Sequence, residues 1–335
     1  MTDDNHQIVL AEIPQEKLAA THFRMTTSAR PVPADGEVLL RVLYVSLDAA
    51  NRAWMQGATY RSALKAGDVM AGGALAEVIE SRSPLLAPGD LVFGDTGWQT
   101  HAVLPAKRLT KTARQEPLSH LLSVYGVAGL TAYFGLLECG MPKAGETVVV
   151  SAAAGSVGSI VGQIARIKGC RVVGIVGGAA KAEMIVRDLG FDAAVDYKAG
   201  DTRRALRAAC PNGIDVYFDN VGGDVFEACL FNMANGGRIA CCGAVSQYDG
   251  AAPKAGPRGV PGLIVTKRLR LRGFIVSDFD DQREAALAQL KTWVDSGTLQ
   301  VREDILHGLG ALPEGLVGLL AGENIGKRMV KITDL

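Results

Sequence analysis

A turn of small residues near the middle of the chain has the composition and spacing of a phosphate-binding turn. It reads Ala153-x-Gly155-x-x-Gly158, the dinucleotide-binding fingerprint with its first glycine replaced by alanine. Gly155 would let the backbone approach a pyrophosphate closely, and Gly158 would let a following helix pack on the preceding strand. That helix would begin with Ser156 and Val157 and offer unpaired N–H groups to phosphates. On spacing alone, a small-residue turn of some other α/β protein is the alternative interpretation.

The residues after the next predicted strand indicate which dinucleotide would bind. An NAD site needs an acidic residue about 20 positions past the glycines to bind the ribose hydroxyls. Here the strand runs into Gly177-Gly178, and no acidic residue occurs before Glu183. Lys181 could supply a positive charge to a ribose phosphate. The pattern therefore favours NADP(H) over NAD(H), although Lys181 could instead be an ordinary solvated lysine at a helix start.

Composition and spacing argue against several other kinds of chemistry. The formal net charge is zero and the pI is about 7.0, so no nucleic-acid or membrane-surface partner recognised by bulk charge is expected. No transmembrane span or secretion signal is visible, and a cytoplasmic protein is expected. The five histidines are scattered, and no two of the six cysteines form a C-x-x-C pair. We therefore predict neither a zinc site nor a disulfide framework.

The elements around the turn alternate between strands and helices, which predicts a doubly wound parallel sheet. Val148–Val150 precede the turn as a run typical of a strand buried on both faces, and an amphipathic stripe follows it. Further strands are predicted at Arg171–Val176, Ala193–Val195, Asp215–Asp219, Arg238–Cys242 and Leu271–Val276, with helices at Gly129–Glu138, Ala180–Leu189, Thr202–Ala209, Val225–Met233 and Gln282–Asp295.

The N-terminal part is rich in short strands, which indicates a small, partly open barrel. Strands are predicted at Glu37–Ser46, where Val38, Leu40, Val42 and Tyr44 alternate on one face, and at Gly73–Ser81, Asp90–Phe93 and Gln99–Val103.

Two loops and the tail complete the prediction. Asp48–Tyr60 carries Trp54, Met55 and Tyr60, which either plug the core or line a pocket. The Gly- and Pro-rich loop Ser246–Gly262 leaves the carboxyl end of a strand, so we expect a functional lid or a disordered segment. The last strand, Gly326–Ile332, is expected to return to the first lobe and leave a cleft between two lobes.

Many stretches resemble the zinc-independent branch of the medium-chain dehydrogenase/reductase superfamily. Within it, the chain is similar to the prostaglandin/leukotriene reductases, plant alkenal double-bond reductases and bacterial curcumin-type reductases. The matching stretches are Val45–Met55, Gly129–Glu138, Ala144–Ser159, Leu189–Lys198, Phe218–Gly223, Cys242–Tyr248, Gly273–Asp278 and Glu323–Lys327.

The resemblance implies an α/β fold with a GroES-like β-barrel lobe, residues 1–125 completed by 300–335, and a Rossmann NADP-binding lobe, residues 126–299. It implies a homodimer and reduction of the carbon–carbon double bond of α,β-unsaturated ketones or aldehydes by NADPH. The cofactor contacts that it implies are Gly155, Ser156, Val157, Gly158, Lys181, Tyr197, Asn220, Cys242, Gly243, Ala244, Val245, Ser246, Gln247, Tyr248, Phe274, Ile275, Val276 and Asn324.

Departures from the family pattern fall on the pocket. The family's S-Y-x-P-P becomes Thr59-Tyr60-Arg61-Ser62-Ala63, V-M-R-G becomes Val69-Met70-Ala71-Gly72, and Thr266 stands where some relatives have tyrosine. The substrate is therefore less well defined than the cofactor.

The expected mechanism needs hydrogen-bond donors rather than a metal. Hydride transfer to the β-carbon of an enone leaves negative charge on the carbonyl oxygen, which hydroxyl groups can stabilise. Tyr60 and Tyr248 are the candidates for this role, with packing as the alternative for each. The alternative functions are a quinone reductase of the same superfamily and a catalytically idle NADPH-binding sensor protein; a zinc alcohol dehydrogenase is disfavoured by the missing Cys and His ligands.

Overall fold

The computed structural model describes residues 4–57, 61–249, 256–257 and 259–333. Numbered in chain order, the strands are β1 (Asp4–Leu10), β2 (Phe23–Ala29), β3 (Glu37–Ser46), β4 (Gly73–Ser81), β5 (Leu91–Asp95), β6 (His101–Pro105), β7 (Thr110–Thr112), β8 (Thr147–Ser151), β9 (Arg171–Val176), β10 (Ala193–Asp196), β11 (Ile214–Asp219), β12 (Met233–Cys241), β13 (Arg270–Gly273), β14 (Glu303–His307) and β15 (Lys327–Lys331). The α-helices are α1 (Ala50–Ala53), α2 (Val127–Phe134), α3 (Ser156–Ile167), α4 (Ala179–Leu189), α5 (Thr202–Ala209), α6 (Gly223–Asn232), α7 (Val260–Lys267), α8 (Arg283–Asp295) and α9 (Leu312–Leu320).

The N-terminal lobe is built on a seven-stranded sheet in the order β14-β15-β3-β4-β5-β7, with β6 paired to β3, and on the separate hairpin β1-β2. The predicted strands are present, two of them with ends shifted by one or two residues. The alternation predicted for β3 describes one of its faces, and Leu39 and Leu43, which lie between those residues, are buried as well. Leu43 packs there against Leu75 and residues of two other segments, so both faces of β3 lie in the core.

The second lobe is the predicted doubly wound sheet. Its six parallel strands run in the order β10-β9-β8-β11-β12-β13. Val148 and Val150 face one apolar cluster and Val149 faces the other, and all three are fully buried. An uninterrupted valine run suits this position, because helices cover both faces of the sheet.

Several predicted elements differ from the structure. The strand predicted from Arg238 begins at Met233, and α1 lies within the segment predicted as a loop. The sixth strand ends at Gly273, and a 3₁₀ helix, Val276–Gln282, takes up the residues that follow. The first helix of this lobe begins at Val127, and its last turn, Gly135–Gly140, is a π-helix. The segment predicted as a loop up to Gly262 contains the start of α7, which the sequence pattern missed because glycine and proline dominate it. Proline is nevertheless well suited to the first turn of a helix.

The tail returns to the first lobe, as expected. β15 pairs antiparallel with β3 and parallel with β14. The predictions included neither β14 nor α9, which covers this part of the sheet. Directly before β15, the N–H of Gly326 donates to the carbonyl of Ala154 at 2.8 Å, so the two lobes meet beside the glycine turn. None of the described helices is both long and apolar enough to span a membrane.

Candidate functional site

The glycine turn lies at the carboxyl edge of the parallel sheet, between β8 and α3. A Cβ on Gly158 would lie 2.3 Å from the carbonyl oxygen of Ala152, so α3 can pack this closely only with glycine there. Ala153 is fully buried and faces Gly174 of β9, where an added Cβ would lie 2.8 Å from the Ala153 methyl. A glycine on the neighbouring strand therefore makes room for the alanine that replaces the first glycine of the fingerprint.

The N-terminus of α3 carries a polar group that has no partner among the described residues. The hydroxyl of Ser156 is buried, and no group in the described part of the chain hydrogen-bonds to it. A buried hydroxyl normally has a hydrogen-bond partner. Beside the free N–H groups of the first helical turn, it has the position and the chemistry to donate to a phosphate oxygen.

Positive charge collects at the end of β9. The Nζ of Lys181 donates to the carbonyls of Gly322 at 2.6 Å and Asn324 at 2.7 Å. Burial, followed by the charges of Lys198 and Arg328, holds the pKa of Lys181 below its usual value. A nearby anion would stabilise the charged form of this lysine, and a ribose phosphate would be such an anion.

Two more predicted residues lie at this corner. The Tyr197 ring is 44% exposed and packs beside Gly177, where an added Cβ would lie 2.9 Å from ring atoms. The Nζ of Lys198 lies 5.9 Å from the centre of that ring. The side-chain Nδ2 of Asn324 donates to the carbonyl of Gly326 at 2.9 Å, which shapes the tail loop against the turn. The structure thus brings Lys181, Tyr197 and Asn324 together beside the glycine turn.

Asp219, which the sequence predictions did not include, organises the loops on the other side of β8. It is 4% exposed. Its Oδ1 accepts hydrogen bonds from the Tyr217 hydroxyl at 2.6 Å and from the N–H groups of Val221 and Gly222, each at 2.9 Å. Its backbone carbonyl accepts from the N–H groups of Cys242 and Gly243. Asp219 therefore binds the loop after β11 through its carboxylate and the loop after β12 through its backbone carbonyl.

Residues of both loops surround a cavity of about 390 Å³, and the predicted residues among them all belong to the loop after β12: Cys242, Gly243, Ala244, Gln247 and Tyr248. Asn220 lies beside it, with its Nδ2 donating to the carbonyl of Ser151 at 2.8 Å. Phe274 does not line the cavity; its ring packs edge-on against Phe218 in the core. The lining residues are Asp219, Gly222, Gly223, Phe226, Cys241, Cys242, Gly243, Ala244, Gln247, Tyr248 and Pro257.

Of the two candidate tyrosines, Tyr248 lies in this cavity and Tyr60 lies outside the described residues. The Tyr248 hydroxyl accepts a hydrogen bond from the N–H of Ala244 at 3.2 Å. Because that bond uses the oxygen as acceptor, the hydroxyl proton is still able to donate to a substrate oxygen.

The thiols near the site are not nucleophiles. Burial raises the pKa of Cys241 to about 11 and that of Cys242 to about 12, so both stay protonated at neutral pH. All six cysteines are free. The described residues contain no group of three or more His, Cys, Asp or Glu side chains arranged to hold a metal ion.

A barrel-like lobe joined to a doubly wound sheet, with a glycine turn at the carboxyl edge of the sheet, defines the class of two-lobe dinucleotide-binding oxidoreductases. Comparison with known proteins agrees with this class. Residues 6–112 match the family model described as the N-terminal domain of oxidoreductase, and residues 156–292 match the model described as zinc-binding dehydrogenase.

Comparison with individual proteins identifies the branch of this class to which the chain is most similar among those compared. The chain is 41% identical to the NADPH-dependent curcumin reductase of Escherichia coli (strain K12), over 98% of this chain and 97% of the relative. It is 43% identical to prostaglandin reductase 1 of Bos taurus, over 92% and 93%. The solved structure of CurA from Vibrio vulnificus in complex with NADPH matches with a TM-score of 0.93 and 39% identity, over 98% of this chain and all of that one. The chain therefore belongs to the medium-chain dehydrogenase/reductase family, in the branch of the curcumin and prostaglandin reductases.

Proposed function

We propose that this protein is an NADPH-dependent oxidoreductase that reduces the carbon–carbon double bond of α,β-unsaturated ketones and aldehydes. The observation that carries the proposal is the cavity beside Tyr248, which lies at the carboxyl edge of the parallel sheet. The opposite half of the same edge carries Lys181. A dinucleotide spans the two halves of such a sheet. The activities named for its relatives, curcumin and prostaglandin reduction, support an enone as the substrate.

The residues present fit NADP(H). The pyrophosphate would lie at the turn of Gly155 and Gly158, with the unpartnered Ser156 hydroxyl as a donor. Lys181, with Lys198 and Tyr197 beside it, would hold the ribose phosphate. When bound, the cofactor would supply the hydride. The protein's part is to hold the two reactants in one cleft and to stabilise the charge that forms.

The charge forms on the carbonyl oxygen of the substrate, and the resulting enolate would then take a proton at its α-carbon from a hydroxyl group or from water. A hydroxyl that donates to this oxygen lowers the barrier, because its hydrogen bond is stronger to an enolate than to a neutral ketone. Tyr248 is placed for this role, since the Ala244 N–H orients its oxygen and its ring lines the cavity. Tyr60 is proposed for the same role from the sequence alone.

The test measures NADPH oxidation with a series of enones of graded chain length, a quinone and a saturated aldehyde. We expect turnover of the enones, none of the saturated aldehyde, and a lower kcat/KM with the quinone. Tyr248→Phe removes only the hydroxyl and should lower kcat about 10- to 100-fold if it supplies one stabilising hydrogen bond. A higher kcat/KM for the quinone would identify a quinone reductase, and NADPH binding without any turnover would identify a binding protein.

Three further properties belong to the same proposal. We infer a homodimer that pairs through β13, an edge strand whose four residues are all exposed. We infer a cytoplasmic location, which is consistent with six free thiols. We also infer that catalysis is independent of zinc, which metal analysis of active protein would test. The boundaries of the lobes, residues 1–125 with 300–335 and residues 126–299, are part of the proposal as well.

A further inference from the structure

A buried arginine of the barrel lobe contacts the end of the loop that lines the cavity. Arg52, in α1, is 1% exposed. Its Nε donates to Oδ1 of Asp249 at 3.1 Å, and its Nη2 donates to the carbonyls of Glu16 at 2.8 Å and Pro14 at 3.4 Å. Asp249 directly follows Tyr248. The ion pair therefore links the barrel lobe to the loop after β12.

Two other hydrogen bonds link the barrel lobe to Tyr248 and Asp249. The N–H of Leu18 donates to the same Oδ1 of Asp249 at 2.7 Å. The Nε2 of Gln56, about one helical turn beyond Arg52, donates to the backbone carbonyl of Tyr248 at 2.9 Å. The barrel lobe thus holds both the side chain of Asp249 and the backbone of Tyr248. Each of these donors belongs to a segment far away in sequence.

We propose that Arg52 is a positioning residue, which acts through Asp249 to fix Tyr248 and the loop after β12 against the barrel lobe. The inference rests on the proposed function, because it assigns that loop to the nicotinamide half of NADPH. The adenosine half would lie on the side of β8, β9 and β10, which Arg52 does not contact. Loss of the pair should therefore weaken the binding of the whole cofactor and leave the binding of its adenosine half unchanged.

Arg238 offers a matched control. It too is a nearly buried arginine, paired with Glu146 and donating to the backbone carbonyls of Gly140 and Met141. Glu146 immediately precedes β8, at the edge of the sheet opposite the glycine turn. Arg238→Met removes a similar ion pair without touching the loop after β12. This variant therefore distinguishes a general loss of protein stability from a displacement of the loop after β12.

The experiment compares Arg52→Met, Asp249→Ala and Arg238→Met with the wild type. It measures the dissociation constants of NADPH and of 2′,5′-ADP, a probe of the adenosine half alone, with Tm and kcat. We expect Asp249→Ala and Arg52→Met to raise the NADPH dissociation constant and to lower kcat, each about 10-fold, with the 2′,5′-ADP constant within about twofold of the wild type. Arg238→Met should lower Tm and leave both constants unchanged.

The outcomes separate the two proposals. If Asp249→Ala binds NADPH and turns over as the wild type does, the positioning role of Arg52 is wrong while the proposed function stands. If the wild type binds neither NADPH nor 2′,5′-ADP, the proposed function fails and the positioning role fails with it. If Arg52→Met does not fold, Asp249→Ala decides, since it removes the acceptor of the pair and leaves Arg52 bonded to the carbonyls of Glu16 and Pro14.

Discussion

Lys181 shows how one side chain can select between two coenzymes that differ by one phosphate. Its ammonium is half-buried and held by two backbone carbonyls, which orient it but do not neutralise it. A hydrogen bond to a charged group contributes about 1.5–3 kcal/mol, which corresponds to about 10- to 100-fold in affinity. The preference for the phosphorylated coenzyme therefore depends largely on this residue and its neighbour Lys198.

Lys181→Ala should raise the KM for NADPH about 10- to 100-fold and leave the KM for NADH nearly unchanged. Steady-state kinetics with both coenzymes measures the ratio. Arg187→Ala is the control, because Arg187 lies on the same helix but pairs with Glu183 and Asp188 on its exposed face. If the ratio of the KM values for NADPH and NADH were unchanged in Lys181→Ala, another group would have to bind the phosphate.

The same lysine should make the preference depend on pH. Burial, and then Lys198 and Arg328, lower the pKa of Lys181, so its charge is lost at a lower pH than that of an ordinary lysine. Its attraction for the phosphate is fully present below this pKa and is lost as the pH rises through it. The ratio of NADH to NADPH dissociation constants should therefore fall with rising pH in the wild type, at a pH below the ordinary lysine pKa of about 10.4. In Lys181→Ala the ratio should be lower and flat, and a slope like that of the wild type would contradict the assignment.

At the scale of elements, the turn between β8 and α3 depends on one contact that leaves no room for a side chain. Gly158 approaches the carbonyl of Ala152, whose own backbone is left-handed at φ 50°. The alanine at position 153 fits only because β9 has Gly174 opposite it. The fingerprint is thus a property of two adjacent strands and a helix together.

Gly158→Ala should displace α3, lower Tm by about 2–6 °C and weaken NADPH binding more than tenfold, since overpacking costs about 1–3 kcal/mol. Thermal unfolding and fluorescence titration measure the two effects. Gly262→Ala, also a helical glycine but with open space around it, should leave both unchanged. If Gly158→Ala kept normal stability and affinity, the close approach of α3 would not matter to this site.

At the scale of the whole molecule, the edge of the doubly wound sheet is exposed. In the described chain β13 pairs with β12 alone, and apolar side chains lie exposed on and near it, including Leu271, Ile275 and Val265. An unprotected edge with an apolar surface favours pairing with another chain. This observation supports the proposed homodimer.

Leu271→Asp should convert a dimer of twice 35.2 kDa into a monomer, as measured by light scattering on a sizing column. Leu85→Asp, at an exposed leucine of the barrel lobe, should leave the mass unchanged. A wild type that is monomeric at micromolar concentration, or a Leu271→Asp variant that stays dimeric, would contradict pairing through β13.

The pair of Arg238 and Glu146 should stabilise the molecule in a pH-dependent way. Burial alone would raise the pKa of Glu146, but hydrogen bonds from Arg238 and the Lys143 N–H hold it below its usual value. The stabilisation is therefore present at neutral pH and is lost as the pH falls through the folded-state pKa. Arg238→Met should cost about 3 kcal/mol of unfolding free energy near pH 7, and less in acid. Urea unfolding at several pH values measures the difference, and a cost independent of pH would assign it to packing.

The sequence by itself determined the local features of this protein. The glycine turn, the buried valine strand and the lysine after Gly177-Gly178 follow from residue type and spacing, since periodicity reports which face is buried within one element. The fold class and the family were predictable for the same reason. The start of α7 was not predicted, because glycine and proline dominate that segment. The alternation read for β3 described only one of its two buried faces.

Only the tertiary structure decided which distant segments meet. Asn324 accepts from Lys181 across 143 positions, and Asp249 accepts from Arg52 across 197. Asp219 became the centre of two loops because β11 and β12 end side by side. No sequence period encodes such contacts, because they depend on how two lobes pack and on which buried polar groups then need partners.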